Sequence, residues 1–354
     1  MRSTSVREVN MELYLLDESF NITDGPIDEA LSAVWEERFS EPGAFRIVFP
    51  RALFERVSRA VYVSAVTDAG ACLCGRVEYV TAREGGECEI GGRLLEALIC
   101  DTVLRGGETY TGKLSDVLRT VLDANLAHTP VVTSEDFCTI EDEVTFETSW
   151  QNLADWLYAI LKPYMASFSV KLIHGVPNLS IIRGRDRSSE GADGSTRVLF
   201  STSYGNIGGV EYERDGSEMK NFAYICGSDG LVVTVDKSGG VVRREIYKNA
   251  SDIVKSHFAS EEEYVAALKR RGEEVLAGYT EAVCVFAECE DGCDLVYGAD
   301  YSLGDLCDVA DAELGLSFAL RVTGAATVFE DGCCTVFPTF GDEVEVIKKL
   351  RFLD

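Results

Sequence analysis

The sequence predicts an α+β, β-rich fold in which two β-barrel-like halves flank a small α/β domain. Three observations carry this. Short segments with period-two alternation and turn punctuation fill the first hundred residues. Amphipathic helical stretches gather in the middle, and strands return beyond residue 197, interrupted by one strong helix. The expected parts are a first barrel-like half over residues 9–100, an α/β domain over 101–187, and a second barrel-like half with one long helix over 197–347. At 354 residues there is room for two or three such parts, each with its own core.

In the first part Phe45, Ile47 and Phe49 alternate, the period of a half-buried strand. Asp24-Gly25-Pro26 and Glu41-Pro42-Gly43 read as turns. Cys72 to Thr81, through Glu84-Gly85-Gly86 into Glu87–Ile90, reads as a hairpin that passes into a short helix over Arg93–Cys100. Further on, Leu114, Val117, Leu118, Val121 and Leu122 share one face of a helix between Gly112 and about Leu126. A second helix is expected from Thr148 or Ser149, with Gln151 completing a capping box, Trp150, Leu153, Leu157 and Leu161 as its buried stripe and Pro163 at its end. Strands at Ser167–His174 and Leu179–Arg183 complete the layer.

The polar, glycine-bearing loop Ser188–Thr196 is the natural boundary. Strands follow at Val198–Ser201, Val210–Arg214, Asn221–Cys226, Leu231–Val235 and Val241–Tyr247, with Asp236–Gly240 as a hairpin turn between the last two. Ser260 and Glu263 form a capping box for a helix whose Tyr264, Leu268, Val275 and Leu276 face one way, with Gly278 as C-cap. Leu316, Phe318, Leu320 and Val322 mark a final strand region. No exact internal repeat is visible; the strand–helix–strand grammar of both ends is what makes them related halves.

Sixty acidic against 33 basic residues give a formal charge of −27. Between Glu281 and Glu345 there are fifteen Asp or Glu and one basic residue, Arg321. Such a field repels nucleic acid, because phosphate binding depends on Lys and Arg displacing counterions. It reads either as a solvated surface or as a surface beside which DNA passes without sticking. The polar start Met1–Arg7 shows no signal peptide, and no apolar run approaches the roughly 18 residues of a membrane span. A reducing compartment is therefore expected, with the twelve cysteines as thiols, many of them small buried hydrophobes. Cys284, Cys289, Cys293 and Cys307 match no zinc spacing, so no metal or other cofactor is expected.

Catalytic patterns are missing. His128, His174 and His257 lie in unrelated contexts, and there is neither a His-Glu-x-x-His helix nor a Gly-x-Ser-x-Gly elbow. Carboxylate pairs are too abundant for a glycosidase dyad to stand out. Gly205–Gly209 lacks the ending of a phosphate loop, and Glu288–Asp294 lacks the twelve-residue calcium pattern and reads as a polar hairpin turn. No catalytic, cofactor or metal residue is assigned. The basic cluster Arg183-Gly-Arg-Asp-Arg187 at a strand end reads as a salt-bridged interface in preference to a nucleic-acid contact, and Lys269-Arg270-Arg271 reads the same way.

Several segments, taken in order, carry a resemblance. Trp35–Phe45 turns an aromatic-basic strand through Glu-Pro-Gly, and Ile90-Gly-Gly-Arg-Leu-Leu-Glu-Ala-Leu98 is a glycine-led entry into a helix. Arg183–Arg187, Lys220–Gly227 and Arg243-Arg244-Glu245 follow, then Tyr297-Gly-Ala-Asp-Tyr-Ser-Leu-Gly-Asp305 and Pro338-Thr-Phe-Gly341. Across roughly residues 10–345 this series resembles the siphovirus baseplate-hub, or tail-associated hub, proteins of the phage tail tip. The resemblance implies a structural virion protein of a phage or prophage-derived tail and no enzymatic activity. Three copies together would form a homotrimeric ring of sixfold character that closes the tail tube, in contact with the distal tail ring, the tape-measure protein and tail-tip or receptor-binding proteins. DNA would pass through the lumen without specific binding, after assembly in the host cytoplasm. Cysteine stands where an aliphatic residue would serve, and the chain stops at Asp354 without the long extension that carries peptidoglycan-cleaving or receptor-binding modules in related proteins. The competing readings are a tail-associated hydrolase of peptidoglycan or surface glycan and a host-surface carbohydrate-binding protein.

Overall fold

The computed structural model describes residues 11–67, 72–84, 86–134, 136–191, 194–289, 293–330 and 332–341. These divide into two compact units, one made of the residues up to Glu211 with Phe286–Phe340, the other of Tyr212–Val285 with the residues from Gly341 on. The fold is β-rich with few helices.

The first unit contains a β-sandwich. One antiparallel sheet runs Ile22–Ile27, Met11–Leu16, Tyr62–Thr67, Cys72–Arg76. The facing sheet contains, in spatial order, Cys333–Gly341, Leu316–Glu330, Ser32–Arg38, Ala44–Pro50, Glu87–Arg93 and Tyr79–Ala82, all antiparallel. Alternation does the sorting: Ala33 and Trp35, Phe45, Ile47 and Phe49, and Cys88 and Ile90 turn inward and meet Leu13, Leu15, Val63 and Ala65 of the other sheet. Fully burying such side chains stabilises by about 1.5–3 kcal/mol each. The first half of Leu316–Glu330 leaves this neighbourhood to pair with Leu306–Asp311, which lies parallel to Leu199–Ser201. Among the described residues these pairings leave the sheet open, so no closed barrel is found.

A second core in the same unit packs the helices Leu114–Leu126 and Leu153–Leu161 on the hairpin Ala166–Ile173/Val176–Arg183. The five apolar residues of the Leu114 helix stripe are buried as their spacing requires. The second helix begins later than its sequence signals. Asn152 caps it, accepting from the backbone N–H of Ala154 and Asp155, while Gln151 is in a short strand and Trp150 is 72% exposed. Trp156 takes the buried aromatic position instead. The Asn152 cap, at the end of a short strand paired with Val103–Leu104, outcompetes the Thr148 box, and the Thr148 hydroxyl instead bonds the backbone of Glu108.

The unit that holds Tyr212–Val285 has a three-stranded sheet with the helix Glu261–Ala277 on it. Ser260 Oγ accepts from the Glu263 N–H at 3.2 Å, and Tyr264, Leu268 and Leu276 are buried. Gly278 follows the helix in right-handed geometry (φ −83°), so it ends the helix without a left-handed cap. Gly272 lets the helix approach: a Cβ there would sit 2.5 Å from Val235 Cγ2.

Three further expectations are corrected. Asp236–Gly240 is not a hairpin turn. Phe222–Gly227 lies between Val232–Asp236 and Glu245–Ala250 and runs parallel to the latter, so the connection crosses over. Asp24-Gly25-Pro26 sits inside the edge strand Ile22–Ile27, where a register shift absorbs it and a missing N–H is tolerated. The helix at Ala97–Cys100 is a single turn, because Arg93 still pairs with Ala44 in the sheet. Gly85, Ala192, Asp193, 290–292 and residues beyond 341 lie outside the described residues, and with them parts of three expected turns.

The first unit holds an ion-pair cluster around Glu78. Glu78 accepts from Arg93 (2.6 Å) and Arg76 (2.5 Å), and Arg76 reaches Asp101 (2.5 Å). The Arg93 hydrogen bond above all, with that from Arg76, outweighs burial and holds the Glu78 carboxyl at about 2. A carboxyl depressed on folding contributes stability that is complete above its unfolded value near 4.5 and is lost as pH falls through 2. Glu78→Gln should therefore flatten the loss of stability between about pH 4.5 and 2, read by urea unfolding at stepped pH. Equal slopes for both proteins would remove the claim.

Candidate functional site

The segments singled out in sequence meet in pairs. The turn after strand Val176–Arg183 and the turn before strand Leu306–Asp311, more than a hundred residues apart, form one junction. Asp305 is its centre. Its Oδ1 accepts the Arg185 N–H at 2.7 Å, and its Oδ2 accepts Arg187 Nε at 2.7 Å and the Ser302 N–H at 3.0 Å. The Asp305 and Arg187 side chains are only 4% and 10% exposed. Backbone bonds run alongside, from Leu306 N–H to Arg185 O and from Arg187 N–H to Leu306 O. The Ser189 N–H reaches Asp308 Oδ2 at 2.6 Å.

Two glycines make this apposition sterically possible. Gly304 has φ +91°, the conformation its turn reading requires. A Cβ there would lie 2.6 Å from the Phe39 ring, and a Cβ on Gly184 would overlap the Gly304 carbonyl. That carbonyl accepts from Arg321, the lone basic residue of the acidic C-terminal stretch, whose guanidinium also lies 5.6 Å from the Phe39 ring centroid. Phe39 is tied in turn by its N–H to Thr323 O and by its carbonyl to Ser167 Oγ. Arg187 is thus ion-paired within the chain and not at an interface, whereas Arg183 and Arg185 are exposed. On the other basic cluster, Arg271 pairs with Asp252 at 2.7 Å.

Beside the junction Tyr301, fully buried, stands edge-on to Phe200, which also packs on Phe340. Tyr301 OH and Cys289 Sγ are 3.6 Å apart. Burial pushes the Cys289 thiol up to about 11 and the Cys307 thiol up to about 12, so both stay protonated and unreactive at neutral pH. Cys284 and Cys307 are completely buried, as Cys74 nearly is; Cys226 is half-buried.

In the other unit, Asn221 joins two further predicted segments. Its side chain accepts the Arg244 N–H at 2.7 Å and donates to Val242 O at 3.1 Å. His128, His174 and His257 are exposed on separate elements, two of them on turns far apart in sequence. Sequence reading missed Glu96. This residue is buried, accepts the Val170 N–H at 3.0 Å, and leaves Oε2 without a partner; burial raises its pKa. Nothing in Leu-Leu-Glu-Ala distinguishes it from a surface glutamate.

The fold is that of tail proteins. The chain is similar to the solved tail protein of Neisseria meningitidis MC58 (TM-score 0.62, 13% identity, covering 95% of this chain and 97% of that one). It is also similar to the 43 kDa tail protein of prophage MuSo2 from Shewanella oneidensis (TM-score 0.57, 12% identity, 93% and 97%). Prophage tail protein gp18 of Listeria monocytogenes EGD-e matches at TM-score 0.50 and 12% identity, over 96% and 97%. Among curated proteins no sequence match is found. Over residues 12–342 the chain belongs to the siphovirus ReqiPepy6 Gp37-like family, a family of siphovirus tail proteins.

The junction yields two predictions. Gly304→Val should lower stability by about 1–3 kcal/mol through strain at positive φ, and Gly184→Ala should do worse; a soluble Gly304→Val with an unchanged melting temperature would show that the turn tolerates a side chain. Removing one partner, as in Arg187→Met or Asp305→Ala, should cost about 3–5 kcal/mol, because the other charge stays buried. The double variant should cost less than the sum of the two, measured by a double-mutant cycle in urea.

Proposed function

We infer that this chain is the structural baseplate hub of a phage or prophage-derived tail, and not an enzyme. The observation that carries the reading is the Arg187–Asp305 junction. The polar groups that the sequence made conspicuous are used to fasten strands together, and the histidines are scattered on the surface. In this reading three copies close a ring under the tail tube at the tail tip, meeting a distal tail ring and the tape-measure protein, after assembly in the host cytoplasm. The two sheet-forming ends act as barrel-like wall elements of that ring, with the helical 101–187 segment between them.

The charge fits a channel. A ring around the tail axis surrounds passing genome, and a basic wall would hold DNA by phosphate contacts. The lumen is accordingly acidic, with part of the fifteen-to-one stretch Glu281–Glu345 lining it. Rings of like-charged subunits close more readily at higher salt or on a tube partner, so isolated chains are expected to include monomer. Imaging of assembled tails tests this: a threefold density for the chain on the tail axis with an acidic wall is expected. An off-axis position, a basic lumen, or clearing of a peptidoglycan zymogram by the pure protein would overturn it.

A further inference from the structure

Next to the buried junction, and in the same unit, lies a cleft of about 440 Å³. One wall is the hairpin Ala166–Ile173/Val176–Arg183, the other the turn around Ala299 and Ser302. Lys171, Arg183 and Arg185 line it, all three exposed and none in an ion pair among the described residues. By contrast, Arg38, Arg46, Arg56, Arg76 and Arg93 each hold a carboxylate. Of the cleft's own acids, Asp305 is paired with Arg187, which leaves the single carboxylate of Glu37 against three cations. The uncompensated charge of the cleft is therefore positive, on a chain of net charge −27.

We propose that this cleft is a docking site for an acidic surface of a second copy of the same chain. Guanidinium groups pair with carboxylates in a geometrically specific way, and an unfilled set of them at a cleft selects an anionic partner. Identical subunits repel at this charge, so contact between them requires one face to offer cations to the acids of the next. A basic cleft on one side and acids elsewhere on the chain make a head-to-tail contact, the kind that closes into rings. The proposal rests on the structural reading above and specifies its subunit contact.

The test uses assembled tails containing the full chain with p-benzoylphenylalanine replacing Ala299, which lines the cleft and leaves the three cations intact. Illumination should give a product at twice the mass of the chain. Adding Lys171→Glu, Arg183→Glu and Arg185→Glu should reduce that product at least tenfold, and the milder Arg183→Gln with Arg185→Gln should reduce it several-fold at an unchanged melting temperature. A cross-link to a different tail protein or to DNA, or no intermolecular product in tails that contain the chain, would overturn the docking proposal and leave the structural role standing. Tails that never incorporate the wild-type chain would overturn both.

Discussion

The apposition of Gly184 on Gly304, locked by Arg187 and Asp305, is the constraint on which the larger unit depends. It fastens the end of the helical core's hairpin to the start of the C-terminal strands, and Arg321 and Phe39 extend the contact to the central sheet. A carboxylate receiving two backbone N–H groups and a guanidinium has its acceptor capacity well used, so its burial is compensated. Neither glycine has room for a side chain, so the contact admits little variation in distance. The sandwich and the helical layer hold their own apolar cores; the junction sets how the chain passes from one to the other.

Much of this was legible locally. Phe45, Ile47 and Phe49 alternate because one face of their strand is buried, and Leu114 to Leu122 recur at helical spacing for the same reason. Gly304 was readable as a turn because only a few residues adopt positive φ cheaply. What stayed hidden was non-local. Nothing near Asp236–Gly240 says that Glu245–Ala250 crosses to the far side of Phe222–Gly227, since strand order is decided by packing beneath the Glu261 helix. Trp150 looked like a core residue by type, yet the cap belongs to Asn152 two positions later. Glu96 was invisible because its partner, the Val170 N–H, is supplied from 74 residues away.

The candidate site was half legible. Arg183–Arg187 and Tyr297–Asp305 were each conspicuous, but sequence gave no reason to put them in contact, and the pairing of Arg187 rather than Arg183 or Arg185 follows from which side chain the turn points inward. The acidic excess likewise says that the surface is strongly charged without saying which face meets what. Some of the few cations are committed inside the fold, as Arg93 and Arg76 are on Glu78.

The central strand Ser32–Arg38 sets a schedule for synthesis. One of its edges pairs with Ala44–Pro50 almost at once, but the other waits for Gly324–Glu330. At roughly 5–20 residues per second, a ribosome takes on the order of a quarter of a minute to a minute to deliver that partner. Throughout that interval the nascent chain carries an unpaired strand edge ending in Glu36, Glu37 and Arg38, and the Tyr212–Val285 part of the second unit is made in between. Charges at that edge oppose pairing with the same edge of a neighbouring nascent chain. Polysomes producing many copies of a tail protein are where such protection counts most.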